Sequence, residues 1–313
     1  MFTDSHCHLS FPELKSQLPQ IRQAMADAQV TRALCICTTI EEFDEVHALA
    51  MGYDNFWSTV GVHPDNEGIY EPIVDDLVQR SQRPKVVAIG ETGLDYYQMQ
   101  ERKGGRTVAD MEWQRERFRT HIRAARITGL PLVIHTRNAS DDTLAILREQ
   151  MAQAAPDTTN AAAPSPHGQG AQTNAGALSA SASSAFAPPP STNANASTNA
   201  NAITGVFHCF TESMAVARAA LDLGFYISFS GILTFKAAAD LREVAAYVPL
   251  DRCLIETDSP YLAPMPYRGK TNNPSYVPFV AQQLATLKSI SVESVAQATS
   301  DNFDHLFSHA LHA

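Results

Sequence analysis

Short apolar, β-branched segments alternate with longer segments of helical periodicity along most of the chain. The short segments span residues 2–9, 32–38, 56–62, 86–90, 132–135, 205–210, 225–230 and 253–256. The longer ones span residues 12–28, 41–51, 69–79, 108–128, 141–150, 214–223 and 236–247, and two more helices are expected over 276–289 and 292–309. Strands that alternate with helices in this way are typical of parallel βαβ units.

Eight strand–helix repeats fit a closed barrel better than an open, doubly wound sheet. No strand is followed by the Gly-x-Gly-x-x-Gly turn that a dinucleotide-binding fold would carry. A length of 313 residues is compatible with one barrel domain. The sequence therefore predicts an α/β fold consisting of a single (β/α)8 TIM-type barrel.

One segment interrupts the alternation. Residues 158–203 contain no Asp, Glu, Lys or Arg, and Ala, Ser, Thr, Asn and Pro dominate there. Such a composition cannot supply a packed core. We therefore expect one domain over residues 1–313, interrupted by a low-complexity, disordered insertion over 152–203, between the fifth helix and the sixth strand.

Composition and charge limit the setting in which the protein works. The five cysteines show no framework spacing, which favours a reducing compartment, and Cys35 and Cys37 are expected to be core residues. Neither a signal peptide nor an apolar run of membrane-spanning length is visible. We expect a cytoplasmic monomer without membrane contact. The net charge of −10 argues against a nucleic-acid coat protein but not against a nuclease, since bound cations reverse the field locally.

Imidazoles and carboxylates cluster at the predicted strand ends. His6 and His8 are two apart on the first strand, so they share one face, and the neighbouring Asp4 is expected to orient an imidazole. Because the carboxyl ends of barrel strands meet at one face, further side chains should join them there. Glu91 follows the fourth predicted strand, His135 ends the fifth, His208 lies on the sixth, and Asp258 follows the eighth.

Four imidazoles and two carboxylates exceed what one tetrahedral metal needs. They suit two divalent ions that share a carboxylate. We expect Glu91 to bridge the ions, His6, His8 and Asp258 to complete one site, and His135 and His208 to complete the other. A mixed nitrogen and oxygen set accepts Mg, Mn or Zn, and the sequence does not choose among them.

The chain resembles the TatD family of metal-dependent deoxyribonucleases, within the amidohydrolase-like barrel enzymes. The resemblance covers the chain from the first strand to residues 301–303, apart from the low-complexity segment. Its motifs are DSHCH at 4–8, GVHP at 61–64, IGETGLDYY at 89–97, IHTR at 134–137, HCFT at 208–211, ETDSPYL at 256–262 and YRGK at 267–270.

The resemblance implies metal binding through the six side chains named above and cleavage of phosphodiester bonds in DNA, with 3′–5′ exonuclease character. We expect Asp258 to act as general base as well as ligand. His63 is similar to a family position near the scissile phosphate, so it joins Asp258 and Glu91 as a catalytic candidate. Substrate-binding candidates are Arg137, Arg268, Lys270 and Asn272.

Some positions depart from the family pattern. Asn138, Thr271 and Asn273 stand where charged residues are frequent, which weakens the expected grip on substrate. Two other functions stay open: a related barrel hydrolase that acts on amide, ester, lactone or phosphotriester bonds, and a catalytically inactive metal-binding scaffold. Such related hydrolases often bridge their metals with a modified lysine, whereas here Glu91 would do so, which favours the nuclease.

Overall fold

Eight parallel strands form one sheet, in which each strand pairs with the next in sequence. The structure is a computed structural model that describes residues 1–99, 105–153 and 203–308. The strands are β1 (Phe2–Cys7), β2 (Val30–Cys35), β3 (Phe56–Val60), β4 (Val86–Asp95), β5 (Leu132–Arg137), β6 (Gly205–Phe207), β7 (Tyr226–Phe229) and β8 (Cys253–Ile255). Cys7 pairs with Ser259 beyond β8, and Asp258 N–H donates to His6 O at 3.0 Å. The predicted barrel is confirmed.

Helices follow the strands around the barrel. They are α1 (Pro12–Lys15), α2 (Leu18–Asp27), α3 (Phe43–Met51), α4 (Val74–Ser81), α5 (Glu112–Thr128), α6 (Ser140–Gln153), α7 (Met214–Asp222), α8 (Ala239–Tyr247), α9 (Val277–Lys288) and α10 (Val292–Leu306). The single helix predicted over 12–28 is wrong, because the segment forms two helices, α1 and α2. Pro19 lies in the first turn of α2, a position that favours the start of a helix. The helix predicted from residue 69 begins only at Val74, since Pro72 disfavours helical geometry in the residue before it.

Both faces of the strands are buried, as expected for a parallel sheet covered by helices. In β2 and just beyond it, Leu34 and Ile36 belong to one apolar cluster, while Cys35 and Cys37 belong to another. Phe303 and Phe307, from α10 and its C-cap, pack into the smaller cluster beside Leu34. This double burial explains why the strands read as continuous apolar runs.

Strand β4 is longer than the sequence predicts. It continues past Gly90 to Asp95, and all of its residues are buried. The extension pairs with β5, so that Gly93 lies beside His135 and Asp95 beside Arg137. Glu91 was predicted to follow β4 but lies within it. Its backbone is therefore held in a strand that pairs with β3 and β5.

The bounds predicted for the insertion, 152–203, are too wide, because residues 152 and 153 end α6 and Ile203 is buried in the core. The remaining residues, 154–202, lie outside the described residues. The status of the insertion as an interruption of a single domain over 1–313 stays a prediction. No helix in the described ranges is long and apolar enough to cross a membrane.

Candidate metal centre

The six predicted ligands meet at the carboxyl end of the barrel. His6 lies on β1 and His8 directly follows it, Glu91 lies on β4, and His135 lies on β5. His208 directly follows β6, and Asp258 comes three residues after β8. All strands run parallel, so their C-terminal ends lie at one face of the barrel. Side chains that are far apart in sequence therefore meet there.

Glu91 is at the middle of the cluster, and its two oxygens face different histidines. Oε1 lies 2.7 Å from His208 Nε2, 3.3 Å from His135 Nδ1 and 3.5 Å from His63 Nε2. Oε2 lies 3.4 Å from His6 Nε2 and 3.9 Å from His8 Nε2. The carboxylate thus divides the imidazoles into two groups, one on each oxygen.

Asp258 completes the side of the cluster nearest β1. Its Oδ1 lies 3.4 Å from His8 Nε2 and 3.6 Å from His6 Nε2. Among the described residues, three sets have ligand atoms within 4.8 Å of one another. They are His6, His8 and Glu91; His6, His208 and Asp258; and His63, Glu91 and His135.

The donor set fits divalent cations. Nε2 of His6 and Nε2 of His8 are 3.3 Å apart, as are Nδ1 of His135 and Nε2 of His208. Glu91 is only 2 % exposed, and its Oε2 accepts no hydrogen bond from a described residue. A buried carboxylate and facing imidazole nitrogens are costly unless they are paired or coordinate metal. Bound cations would satisfy both.

Electrostatics within the cluster keep Glu91 ionised. Burial alone would raise the pKa of this carboxyl, but the surrounding histidines, His208 foremost, hold it well below its usual value. For His208, burial would lower the pKa, but Glu91 and Glu256 raise it well above the ordinary value. The carboxylate is therefore available as a charged ligand.

Two buried carboxylates that the sequence analysis did not single out support the histidines from behind. Asp95 Oδ2 lies 3.1 Å from His135 Nε2, and Glu256 Oε1 lies 3.3 Å from His208 Nδ1. Glu256 also accepts the Cys209 N–H at 2.7 Å. Such partners fix the orientation of a ligating imidazole. The sequence could have indicated both, because each carboxylate directly follows apolar strand residues and lies within one of the motifs at 89–97 and 256–262.

The expectation that Asp4 orients an imidazole is wrong, because its carboxylate is hydrogen-bonded to no imidazole ring among the described residues. Its carboxylate accepts Thr257 N–H at 2.9 Å, the Thr257 hydroxyl at 2.5 Å and the His6 N–H at 3.3 Å. Complete burial raises the pKa of Asp4 to about 8. Asp4 therefore ties the backbone of β1 to that of the β8 end, where His6 and Asp258 are placed.

His63 reaches the cluster from the loop after β3. Its Nδ1 accepts the Asp65 N–H at 3.1 Å, which leaves Nε2 to face Glu91. Helix α5 holds this loop: the buried Arg117 donates to His63 O at 2.9 Å and to Asn66 O at 2.7 Å. The sequence analysis did not identify Arg117, because it considered residues at strand ends and Arg117 lies on a helix.

A cavity of about 410 Å³, here called the ligand cavity, opens over the cluster. Its described lining includes His8, Phe11, His63, Glu91, Asp95, His135, Arg137, His208, Asp258 and Tyr261. Arg137 is half exposed, and its guanidinium carbon lies 3.8 Å from the centre of the Tyr97 ring. Of the four substrate-binding candidates, Arg137 is the one that the structure brings to this cavity.

Arg268, Lys270 and Asn272 are not among the described residues that line the ligand cavity. Arg268 packs its guanidinium 4.0 Å from the centre of the Phe235 ring. Asn272 is fully buried, and its amide donates to Thr257 O at 2.8 Å and Tyr261 O at 2.6 Å. These two hydrogen bonds hold the Asn272 side chain inside the loop after β8, so it is not free to contact substrate.

A barrel of this kind with a buried histidine–carboxylate cluster at its C-terminal face defines a metal-dependent hydrolase. The family described as "TatD related DNase" matches residues 3–308, and the chain belongs to this TatD family.

Individual relatives agree with this assignment. The uncharacterized metal-dependent hydrolase YcfH of Escherichia coli is 40 % identical over 308 residues, covering 97 % of this chain and 94 % of YcfH. The 3′-5′ ssDNA/RNA exonuclease TatD of Salmonella typhimurium is 27 % identical, covering 90 % and 88 %. The crystal structure of YJJV, a TatD homologue from Escherichia coli, superposes with a TM-score of 0.74 at 24 % identity and covers 98 % of each chain. That likeness shows the shared fold.

Proposed function

We propose that the protein hydrolyses phosphodiester bonds in DNA, with 3′–5′ exonuclease character, and that it uses two divalent ions. The observation that carries this proposal is the convergence of imidazoles on both oxygens of Glu91. The name of the Salmonella typhimurium relative, an exonuclease, supports the choice of substrate.

The proposed ligands of the two ions are those expected from the sequence. Oε2 of Glu91 faces His6 and His8, and Oε1 faces His135 and His208. A carboxylate with one oxygen toward each group suits a bridge. When bound, such ions polarise a phosphoryl oxygen and lower the pKa of water.

Asp258 is the proposed proton acceptor. Burial would raise the pKa of its carboxyl, but His8, His6 and His208 hold it well below the ordinary value, so the group is ionised at neutral pH. Asp258 lines the ligand cavity, where its carboxylate can take a proton from an attacking water.

His63 is the proposed hydrogen-bond donor to the phosphate or the leaving oxygen. Burial lowers its pKa to about 3, so the ring is neutral at physiological pH. Since Nδ1 accepts the Asp65 N–H, the proton of the neutral ring resides on Nε2, which faces the cluster. This tautomer suits a donor better than a metal ligand.

Arg137 is the proposed phosphate-binding cation. Its guanidinium lies over the Tyr97 ring and stays half exposed at the cavity. A planar fork of donors in this place can bind two phosphate oxygens at once. It would also offset the acidic charge that Asp95 and Asp258 place in the cavity.

The test is a substrate panel with purified protein loaded separately with Mg²⁺, Mn²⁺ and Zn²⁺. The panel holds single-stranded DNA, duplex DNA, RNA, methyl p-nitrophenyl phosphate, and amide, lactone and phosphotriester substrates. Glu91→Gln should lower both metal content and kcat/KM, the latter by about a hundredfold or more. Glu116→Gln, an exposed glutamate of α5, is the matched control. Near-normal metal content and rate in Glu91→Gln, or cleavage confined to non-phosphodiester substrates, would contradict the proposal.

A further inference from the structure

A second cavity of about 400 Å³, here called the side cavity, adjoins the ligand cavity. The two share His135, Arg137, His208, Asp258 and Tyr261. The side cavity then extends to Ile232 and Leu262, which belong to the loops after β7 and β8. A group bound at the metal cluster can therefore extend directly toward the apolar side chains of Ile232 and Leu262.

The wall formed by Ile232 and Leu262 is held firmly. A Cβ on Gly231 would lie 2.0 Å from Leu262 O, so the two loops pack backbone against backbone. Thr234 Oγ1 accepts the Met265 N–H at 2.8 Å across the same contact. Leu262 has a φ of 57°, a strained region for a side chain of this size. Strain of this kind is retained where the surrounding structure imposes it, and it clusters at functional sites.

Tyr261 stands between the two cavities. It is 54 % exposed and lines both of them, and its ring makes an edge contact with Phe11 at 6.4 Å between centroids. An exposed aromatic ring beside a phosphate-cleaving centre offers a stacking face for a nucleobase.

We propose that the side cavity binds the base of the nucleotide that is released, between the ring of Tyr261 and the wall of Ile232 and Leu262. This inference rests on the proposed phosphodiesterase function. A volume of about 400 Å³ lies near the lower end of small-molecule pockets, about 300–1,000 Å³, which suits one nucleoside. The site binds one base and leaves the rest of the strand outside.

The subsite should accept all four bases alike. The Thr136 hydroxyl pairs with that of Thr143 at 3.1 Å, and the Cys209 thiol lies 3.1 Å from Ser230 Oγ. With these two groups engaged and Arg137 assigned to phosphate, we expect stacking and apolar contact to supply the main attraction, and both tolerate any base. Discrimination would instead need free donors and acceptors aimed at a base edge.

Three variants and a modified substrate test the subsite. Ile232→Trp fills the cavity, Tyr261→Ala removes the ring, and Tyr261→Phe keeps it. Tyr247→Ala, an exposed tyrosine of α8, is the matched control. Each protein is assayed on a single-stranded oligonucleotide, on the same strand with an abasic 3′-terminal residue, and on methyl p-nitrophenyl phosphate, which has no base.

For the wild type we expect kcat/KM on the abasic strand to be about tenfold or more below that on the intact strand. Ile232→Trp should cleave both strands at the same low rate, and Tyr261→Ala should raise KM for the intact strand about tenfold. Tyr261→Phe and Tyr247→Ala should resemble the wild type. Tyr247→Ala should hydrolyse the small diester within twofold of the wild type, and all variants should keep the wild-type metal content and melting temperature, which shows that fold and metal centre are intact.

The outcomes separate the two proposals. If the small diester and DNA are cleaved but the terminal base has no effect, or if Ile232→Trp keeps the wild-type preference for the intact strand, the subsite is refuted while the phosphodiesterase stands. If no phosphodiester is cleaved under any metal, the proposed function fails and the subsite fails with it.

Discussion

Nε2 of His121 accepts the backbone N–H of Val62 at 3.0 Å, and Nδ1 of the same ring lies 2.8 Å from Arg117 O. One nitrogen accepts and the other donates, so the neutral imidazole satisfies both contacts. His121 is fully buried on α5, and Val62 directly precedes His63. A residue on a helix thus fixes the start of the loop that carries a catalytic candidate.

This bond predicts a pH dependence of stability. Burial lowers the pKa of His121 to about 4, from 6.5 in the unfolded chain. Between these values the unfolded chain binds more protons, so stability is lost as pH falls from above 6.5 toward 4. At about 1.4 kcal/mol per pKa unit, the group accounts for up to about 3 kcal/mol.

His121→Gln removes this titration, so its melting temperature should fall less than that of the wild type between pH 7.5 and pH 5. His305→Gln, which removes an exposed imidazole near the end of α10, should leave the wild-type fall unchanged. An equal fall in His121→Gln and wild type would contradict the role of His121.

Arg117 should couple the stability of the His63 loop to activity. Its guanidinium donates to His63 O and Asn66 O and pairs with Glu71. In Arg117→Met the two carbonyls lose their donor, at a cost of about 1–3 kcal/mol, and His63 is less well placed. We expect kcat for phosphodiester hydrolysis to fall about tenfold, with a lower melting temperature.

Arg117→Lys should recover only part of the loss, because an ammonium cannot reproduce the planar fork. Arg123→Met is the control and should be unchanged, because this half-exposed arginine of the same helix pairs only with the exposed Glu116 among the described residues. A normal kcat in Arg117→Met would show that the loop does not need this anchor.

Gly61 should tolerate no side chain. A Cβ at this position would lie 2.4 Å from the carbonyl carbon of Gly90, directly before Glu91. Gly61→Ala must therefore displace β4 and the bridging candidate, and such overpacking costs about 1–3 kcal/mol or more. We expect a lower melting temperature together with reduced metal content.

Gly52→Ala supplies the comparison, since its nearest atoms, Leu49 O and Ala48 O, are 3.4 and 3.5 Å from a Cβ. It should match the wild type in both measurements. Unaltered metal content in soluble Gly61→Ala would mean that β4 can shift without disturbing Glu91.

Asp95 should control the metal affinity of the site through His135. Asp95→Asn keeps a carbonyl oxygen for the Tyr97 N–H but loses the negative charge at His135 Nε2. The loss of such a partner typically costs about 10–100-fold in metal affinity or activity. Metal titration should therefore show weaker binding, while Asp141→Asn, an exposed aspartate in the first turn of α6, should bind normally. Equal affinities for wild type and Asp95→Asn would refute this role.

The sequence by itself determined the barrel and the identity of the side chains at its mouth. Alternating apolar and amphipathic segments require parallel strands covered by helices, and parallel strands all end at one face. His6, Glu91, His135 and Asp258 could therefore be placed together although they are far apart in the chain.

Only the tertiary structure decided what surrounds them. The orientation of each Glu91 oxygen, the burial of Asn272, the anchoring of His63 by Arg117 and the apolar wall at Leu262 depend on contacts between different loops and helices. Periodicity reports which face of an element is buried, but not which partner it meets there. Those partners are set by how the elements pack, and packing is a property of the whole fold.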